Sequence, residues 1–506
     1  MGKVLTILEV SKKQDYIFGS HKLKDNARRS AEINYVTGSQ FFSRNAGELY
    51  SEKENFVYAG GGHTVLQFKD SEAAKEFTKK VTEAAMRQFN GLEVFARSIS
   101  YDEDKTPREN LLNLSKSLEQ KKSQRVTSFR QTSFGIEKLD GISYKPIELE
   151  QESIKEDLLS EYEFQPPKGW VYPKDFKELT FETENYPISK DNFIAVIHID
   201  GNSMGSRVNS IYEKECTDWE QCCESLRRFS SGIQEDFEAA FNEMVTEITN
   251  QGVMTEQLPV RPVILAGDDV CFVTAGSIGL ECSRIFLEKL SQKKNKEDGK
   301  YYSACAGVAI VHVKYPFHKA YEMAESLCEN AKKFGVSIEE NGSISAMDWH
   351  IQFGQLKDNL SELREEYITE DGNHLELRPV VVVNPHSVKT DPIRDYKFFA
   401  SMCKLMHARK NVSRGKLKEW RTALKQGELE TKFFLHDQEI EDILYHGFEA
   451  MYRTNEEKND EILQILKNGK EMQKEPFRNY DGEKHCIFFD AIEMMDHAIF
   501  FEGEGM

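Results

Sequence analysis

The chain has 506 residues, of which 39% are hydrophobic and 30% are charged, and its formal net charge is −19. This length suggests about three domains, and the composition is that of a globular protein rather than a disordered or membrane-embedded one. The acidic excess excludes a uniformly basic nucleic-acid-binding protein, although a basic groove confined to one face stays compatible with it.

Two parts of the chain repeat the same succession of predicted elements. Each has an apolar strand, a helix, a β-hairpin, a second helix and a further strand. The first copy places these elements at 4–10, 25–42, 56–68, 71–89 and 92–100. The second places them at 193–199, 219–248, 263–274, 279–290 and 302–313, and continues with a helix at 317–334 and a strand at 343–349.

Strands that alternate with helices around one antiparallel hairpin indicate a ferredoxin-like α+β sheet. We therefore predict an α+β protein with two ferredoxin-like domains and a helical C-terminal domain. The predicted boundaries are 1–140 for the first domain, 141–190 for a proline-containing linker, 191–352 for the second domain and 353–506 for the helical domain.

The second copy carries three carboxylates at one predicted edge of its sheet. Asp200 ends the first strand, and Asp268 and Asp269 lie at the tip of the hairpin. Clustered carboxylates repel each other without a cation, and oxygen ligands suit Mg²⁺ or Mn²⁺. These three residues are our predicted metal ligands and catalytic residues, although Asp-Asp is also common in ordinary turns.

The surroundings of these carboxylates favour a bound nucleotide. Glycines let a backbone approach phosphates, and turn N–H groups bind their oxygens. A lysine late in a helix is a point charge for a phosphate, but a solvated lysine fits that place equally well. The predicted nucleotide-binding residues of this copy are Gly201, Asn202, Ser203, Gly205, Gly267 and Lys332.

The first copy lacks the carboxylates. Its hairpin tip has Gly61 and Gly62 where the second copy has Asp268 and Asp269, and Glu9 is only a displaced acidic residue. We predict that this copy binds no metal, and that Gly61, Gly62 and His63 contact a second nucleotide. An alternative is that His63 is simply a strand residue.

The nine cysteines all lie from Cys216 onward, without a C-x-x-C pair. This distribution indicates buried thiols rather than a disulfide framework or a zinc ribbon. With these cysteines, a reducing cytoplasm is the default expectation. No apolar run reaches the roughly 18 residues of a membrane span.

Several motifs together resemble the large palm-polymerase subunit of type III CRISPR effector complexes. The resemblance covers about 1–350 and, more loosely, the helical tail. The motifs are Gln-Asp-Tyr-Ile-Phe at 14–18, the Gly-Gly-Gly tip at 60–62, Asp-x-Asn-x-x-Gly at 200–205, Gly-Asp-Asp at 267–269, Ala-Gly-Val-Ala-Ile at 306–310, Ala-Lys at 331–332 and Asp-Trp-His at 348–350.

This resemblance implies paired palm domains and synthesis of cyclic oligoadenylates from ATP when target RNA is bound. It places the family's metal-binding aspartates on Asp200, Asp268 and Asp269 and its phosphate-binding lysine on Lys332. Ala266 and Asn202 depart from the family's usual glycine and aspartate. The family's histidine–aspartate nuclease domain and its zinc-binding cysteines are not expected here.

Three functions remain open from the sequence. The first is a nucleotidyltransferase that joins ATP into a cyclic oligonucleotide or dinucleotide messenger in antiviral defence, and the second is a mononucleotide cyclase. The third is an inactive nucleotide- or RNA-binding scaffold subunit. In that case the basic stretch 389–425 would contact RNA or other complex subunits, unless it is only a solvated helical face.

Overall fold

A computed structural model describes residues 2–20, 22–89, 91–124, 159–186, 192–214, 218–354, 359–385, 388–407, 413–438, 476–480 and 482–501. The predicted linker 141–190 lies within this part only from 159 to 186. Among the described residues, no helix combines the length and the apolar character that a membrane span requires.

The first domain is a four-stranded antiparallel sheet in the order β2-β3-β1-β4. Buried side chains of the strands point alternately to the two faces of this sheet, and they pack against buried side chains of the helices. Its strands are β1 (Val4–Ser11), β2 (Phe56–Gly60), β3 (His63–Phe68) and β4 (Glu93–Ser100). Its helices are α1 (Lys13–Ile17), α2 (Leu23–Val36), α3 (Ser39–Ala46), α4 (Glu52–Asn55), α5 (Ser71–Gln88) and α6 (Pro107–Ser123).

The single helix predicted over 25–42 is wrong, because α2 ends before Thr37 and α3 starts after Gly38. The Thr37 hydroxyl donates to Ile33 O at 2.9 Å, and Gly38 adopts an extended conformation. Threonine and glycine both have low helix propensity, and glycine gains most from leaving the helix.

The second domain repeats this sheet and extends it. Its six strands have the order β10-β9-β8-β5-β7-β6, and only the β8–β9 pair is parallel. The strands are β5 (Phe193–Gly201), β6 (Val260–Ala266), β7 (Asp269–Ala275), β8 (Ala304–His312), β9 (Ser345–Gln352) and β10 (Val380–Val383). The inner order β8-β5-β7-β6 corresponds to β4-β1-β3-β2, so the predicted repeat of two ferredoxin-like domains is confirmed.

The helices of the second domain cover both faces of its sheet. They are α7 (Met204–Lys214), α8 (Trp219–Thr249), α9 (Gly279–Ser291) and α10 (Phe317–Ile338). The long helix α8 begins at Asp218, whose side chain accepts from Gln221 N, an N-cap that satisfies a free donor. Its buried residues recur every three or four positions, as a helix with one buried face requires.

The region after 353 is mainly helical, as predicted, but it also holds a β-hairpin. Its elements are α11 (Leu360–Glu365), α12 (Tyr396–His407), α13 (Arg414–Gln426), α14 (Glu428–Asp437), β11 (Phe477–Tyr480), β12 (Glu483–Cys486) and α15 (Phe489–Met494). Strand β10 lies beyond residue 352, the predicted end of the second domain, and yet it belongs to the sheet of that domain. The domain boundaries therefore remain a prediction.

Seven described cysteines are free and buried, as the sequence predicts. They are Cys223, Cys271, Cys282, Cys305, Cys328, Cys403 and Cys486. Cys222 is also buried, but it is disulfide-bonded.

Candidate active site

The three predicted carboxylates converge at one end of the second sheet. Asp200, near the end of β5, lies directly opposite Asp269, the first residue of β7. Asp268 precedes it in the turn, and its carbonyl accepts from Gly201 N at 3.2 Å. The convergence follows from topology, because the first strand of the fold pairs with the second strand of its hairpin.

The two hairpin tips use different turns. Both turns have two residues, since Gly60 pairs with His63 and Ala266 pairs with Asp269. Gly61 and Gly62 have φ values of +55° and +76°, which a type I′ turn requires at both positions. In the second turn only Gly267 has a positive φ, of +72°. That is the pattern of a type II′ turn, whose second position accepts a residue such as Asp268.

The carboxylates of the second tip resist ionisation. Burial, followed by the charge of Asp200, raises the pKa of Asp268 to about 6 and that of Asp269 to about 6. The side chain of Asp269 is 43% exposed, but its Oδ1 atom is buried and has no hydrogen-bond partner in the described structure. Among the described residues, the closest basic nitrogen is His198 Nδ1 at 3.7 Å, and burial lowers the pKa of that imidazole.

These observations fit a divalent cation. Neighbouring carboxylates that lack a cation repel each other, which raises their pKa values. The raised pKa values of Asp268 and Asp269 and the unpaired Oδ1 of Asp269 are therefore expected of carboxylates that are arranged to bind a metal ion. The donor set consists of carboxylate oxygens, which Mg²⁺ and Mn²⁺ prefer. Asp200, Asp268 and Asp269 are therefore the residues that could hold such ions.

Lys332, on α10, is an ion-pair partner of Asp200. Its Nζ contacts Asp200 Oδ2 and donates to Gly201 O at 3.1 Å. Burial by itself would lower the pKa of the Lys332 ammonium group. The attraction of the Asp200 carboxylate outweighs the effect of burial, so the pKa is raised. A metal on Asp200 would free this ammonium group for another anion.

The loop after β5 is anchored to the segment that leads into β9. The Asn202 side chain is buried and donates from Nδ2 to Ile344 O at 2.9 Å. The Ser203 hydroxyl donates to Asn341 O at 3.0 Å. Asn202 therefore holds the loop in place, while Ser203 and Gly205 are exposed.

Gly201 brings this loop against the hairpin turn. A Cβ atom at Gly201 would lie 2.9 Å from Asp268 Cβ and 2.6 Å from Met204 Cε. Only glycine fits there without displacing the turn that carries Asp268.

The tip of the first sheet and Asp269 line one cavity of about 420 Å³. Gly61, Gly62, Lys13 and Asp269 line it together. Lys13 Nζ also contacts Gly61 O, and its charge partly offsets the rise that burial and Asp200 cause in the pKa of Asp269. Lys13 lies immediately before the Gln-Asp-Tyr-Ile-Phe segment, and no pattern in the sequence pointed to it.

His63 occupies a different position. It pairs with Glu9 across β1 and β3, its ring lies edge-on to Tyr58 with centroids 5.7 Å apart, and it does not line this cavity. Glu9 is ion-paired to Lys122 at 2.5 Å, and the absence of a metal from the first copy stays a prediction.

One face of α8 binds both hairpins. Arg227 Nε donates to Val57 O at 3.0 Å, and the Ser230 hydroxyl donates to Ala59 O at 2.5 Å. One turn further, Gln234 Oε1 accepts from Gly267 N at 2.6 Å, and its Nε2 donates to Leu265 O at 3.0 Å. Residues spaced by three and four share one helix face, so α8 fixes the distance between the two tips.

Replacing Gln234 tests this role. In Gln234→Ala the Gly267 N–H loses its acceptor, and we expect the free energy of unfolding to fall by about 1 kcal/mol. Asn242→Ala, which removes an exposed amide from the same helix, is the matched control in chemical denaturation. Equal effects of the two substitutions would contradict a positioning role for Gln234.

Residues 193–337 match the family model described as Cas10/Cmr2, second palm domain. The predicted resemblance to a palm-polymerase subunit is confirmed for this domain. We therefore call the two ferredoxin-like domains the first and the second palm. No curated protein matches the sequence.

Similar solved structures are Csm1-Csm4 cassettes crystallised with nucleotides. The complex with pppApApA aligns over 98% of this chain and 69% of its own, with 12% identity and a TM-score of 0.52. The complex with AMPPNP aligns over 81% and 62%, with 13% identity and a TM-score of 0.44. The complex with cA4 aligns over 66% of this chain, with 14% identity and a TM-score of 0.45, and this match spans about half of that chain, 53%. At such identities the likeness establishes the fold alone.

Proposed function

We propose that this protein is a nucleotidyltransferase that joins ATP into a cyclic oligonucleotide or dinucleotide messenger in antiviral defence, in the cytoplasm. The supporting observation is the convergence of Asp200, Asp268 and Asp269, of which Asp269 shares a cavity with the glycine tip of the first palm. A single palm could position one triphosphate. Two facing palms leave room for the second nucleotide, whose hydroxyl must attack the first.

The carboxylates would hold two divalent ions, Mg²⁺ or Mn²⁺. When bound, such ions neutralise phosphate charge and lower the pKa of the attacking hydroxyl. The reaction forms a bond from a 2′ or 3′ oxygen of one nucleotide to the α-phosphorus of another and releases pyrophosphate. When the free hydroxyl at one end of a linear product attacks the α-phosphorus at its other end, the same reaction closes the ring and releases a last pyrophosphate.

The other residues would bind and orient the nucleotides. Lys332, released from Asp200, would bind phosphate oxygens, together with the exposed backbone at Ser203 and Gly205 and the turn at Gly267. Gly61 and Gly62 carry no side chains that would fill the cavity, so the second nucleotide would lie there, beside Lys13. The role predicted for His63 has weaker support, because its ring is turned toward Tyr58.

The direct test is incubation with ATP and Mg²⁺ or Mn²⁺, with and without RNA, followed by mass spectrometry. A cyclic dimer or longer ring is the expected product. A cyclic mononucleotide would assign the protein as a mononucleotide cyclase instead.

A lysine substitution tests the proposed phosphate contact. In Lys332→Met we expect the KM for ATP to rise roughly 10- to 100-fold, since hydrogen bonds to charged groups contribute about 1.5–3 kcal/mol. Lys333→Met is the matched control, because Lys333 is 71% exposed and pairs only with Glu329 in the described structure. An unchanged KM in Lys332→Met would remove this lysine from the site.

The scaffold alternative depends on the basic stretch 389–425. Several of its cations have internal partners: Arg394 donates to Leu377 O at 2.9 Å, and Arg414 pairs with Asp496 at 2.6 Å. Lys418, Arg421 and Lys425 share one face of α13 and line a surface cavity of about 630 Å³. RNA binding that weakens steeply with salt, with no product from any nucleoside triphosphate, would favour the scaffold.

A further inference from the structure

A second group of metal-ligating side chains is distinct from the carboxylates of the second palm. His374, Glu483 and His485 each present a ligand atom, and these atoms lie within 4.8 Å of one another. Glu483 and His485 belong to β12 of the C-terminal hairpin, whereas His374 precedes the second sheet's last strand, β10. No motif in the sequence pointed to a function for any of the three.

The backbone fixes this arrangement. His374 N donates to Lys484 O at 2.7 Å, and Cys486 N donates to His374 O at 2.8 Å. His374 and His485 are therefore opposite each other across a short parallel bridge. Their rings stack with centroids 4.7 Å apart and planes inclined by 22°. Glu483 is two residues from His485 in the strand, so both side chains emerge on the same face.

Glu376 orients both histidines. Its backbone carbonyl accepts from His485 Nδ1 at 2.7 Å, and its Oε1 accepts from His374 Nδ1 at 3.4 Å. A carbonyl oxygen only accepts, so Nδ1 of His485 carries the proton and Nε2 carries the lone pair. His374 Nε2 already lies 3.2 Å from Glu483 Oε2.

Glu376 is a buried carboxylate in contact with this group. This residue is only 6% exposed, and its Oε2 atom has no hydrogen-bond partner in the described structure. A carboxylate that accepts from a histidine Nδ1 is the usual outer partner of a metal-bound imidazole.

We propose that His374, His485 and Glu483 bind one zinc-type divalent cation, which ties the hairpin 477–486 to the segment before β10. Two imidazoles and a carboxylate are a known zinc ligand set that leaves a fourth position open. Ligand atoms on a tetrahedral ion about 2.1 Å away are about 3.4 Å apart. The ligand atoms lie within 4.8 Å of one another, so they need to approach by at most about 1.4 Å, and the 65% exposed Glu483 is free to adjust.

The cation differs from the one expected in the palm. Imidazole nitrogen favours Zn²⁺ and Co²⁺, while carboxylate sites without nitrogen favour Mg²⁺. An excess of Mg²⁺ therefore occupies the palm carboxylates and leaves the histidine site available to the probe. This inference does not depend on the proposed catalysis. A chain without cobalt bands would refute the histidine site alone, and a chain without product from ATP would refute the proposed catalysis alone.

The test is titration of the full chain with Co²⁺ in excess Mg²⁺, followed by visible absorption, with Zn²⁺ as competitor. We expect one equivalent of Co²⁺ to bind per chain and to show the intense visible bands of a four- or five-coordinate ion. Zn²⁺ should displace the bound Co²⁺ and remove these bands. Zn²⁺ should also raise the melting temperature, since a ligand that binds only the folded state stabilises it.

Variants at the exposed ligand keep the test independent of folding. Glu483→Gln should weaken Co²⁺ binding at least about 10-fold and His485→Ala at least about 100-fold, since even outer partners change metal affinity 10–100-fold. Glu483→His should retain binding, because it supplies another imidazole. His318→Ala, at an exposed histidine elsewhere, is the control and should bind as the unaltered chain does. Unchanged affinity in both Glu483→Gln and His485→Ala, or no cobalt bands in the unaltered chain, would overturn the proposal.

Discussion

The double variant Asp268→Asn, Asp269→Asn should lose product formation from ATP by at least about 1000-fold, because both tip ligands of the proposed metal site lose their charge. Its metal-free form should be at least as stable as the unaltered chain. Burial and Asp200 raise the pKa of each carboxyl to about 6, so their ionisation at neutral pH opposes folding, and this cost increases as pH rises through 6. The amide side chains remove that cost.

Melting curves with and without Mn²⁺ separate the two effects. Mn²⁺ should raise the melting temperature of the unaltered chain and leave that of the double variant nearly unchanged. The matched control is Glu103→Gln, Asp104→Asn, an exposed acidic pair in the loop after β4, which should behave as the unaltered chain. Undiminished product formation by the double variant would refute the site assignment.

Gly307→Ala should destabilise the protein by at least about 3 kcal/mol, because the added methyl group meets backbone atoms that cannot move alone. A Cβ at this position in β8 would lie 1.9 Å from Ala324 O and 2.4 Å from Cys328 N. Both atoms belong to α10, the helix that carries Lys332. The substitution should therefore also move the lysine away from Asp200.

Chemical denaturation measures the loss, and Gly354→Ala is its control. No atom lies within 4 Å of a Cβ at Gly354, and its φ is not in the left-handed region. Similar unfolding free energies for both variants would mean that α10 does not pack on β8 as closely as described.

The local patterns of the sequence determined most of the fold. Alternating apolar residues and turn glycines predicted the strands and hairpins of both palms, because these signals depend on neighbours along the chain. The convergence of Asp200 with Asp268 and Asp269 was also predictable, since a hairpin and the first strand of this fold are adjacent. The broken helix at Gly38 was missed, because its apolar spacing continues across the break.

Tertiary packing decided the rest of the site. The contacts from Ser230 and Gln234 depend on how α8 crosses two sheets, and the pairing of Lys332 with Asp200 depends on how α10 lies on β8. His374 and His485 are more than 100 positions apart in the sequence, and only a backbone bridge between distant segments stacks their rings. Sequence periodicity thus determined which residues form each element, whereas the packing of those elements decided which charges, amides and imidazoles meet.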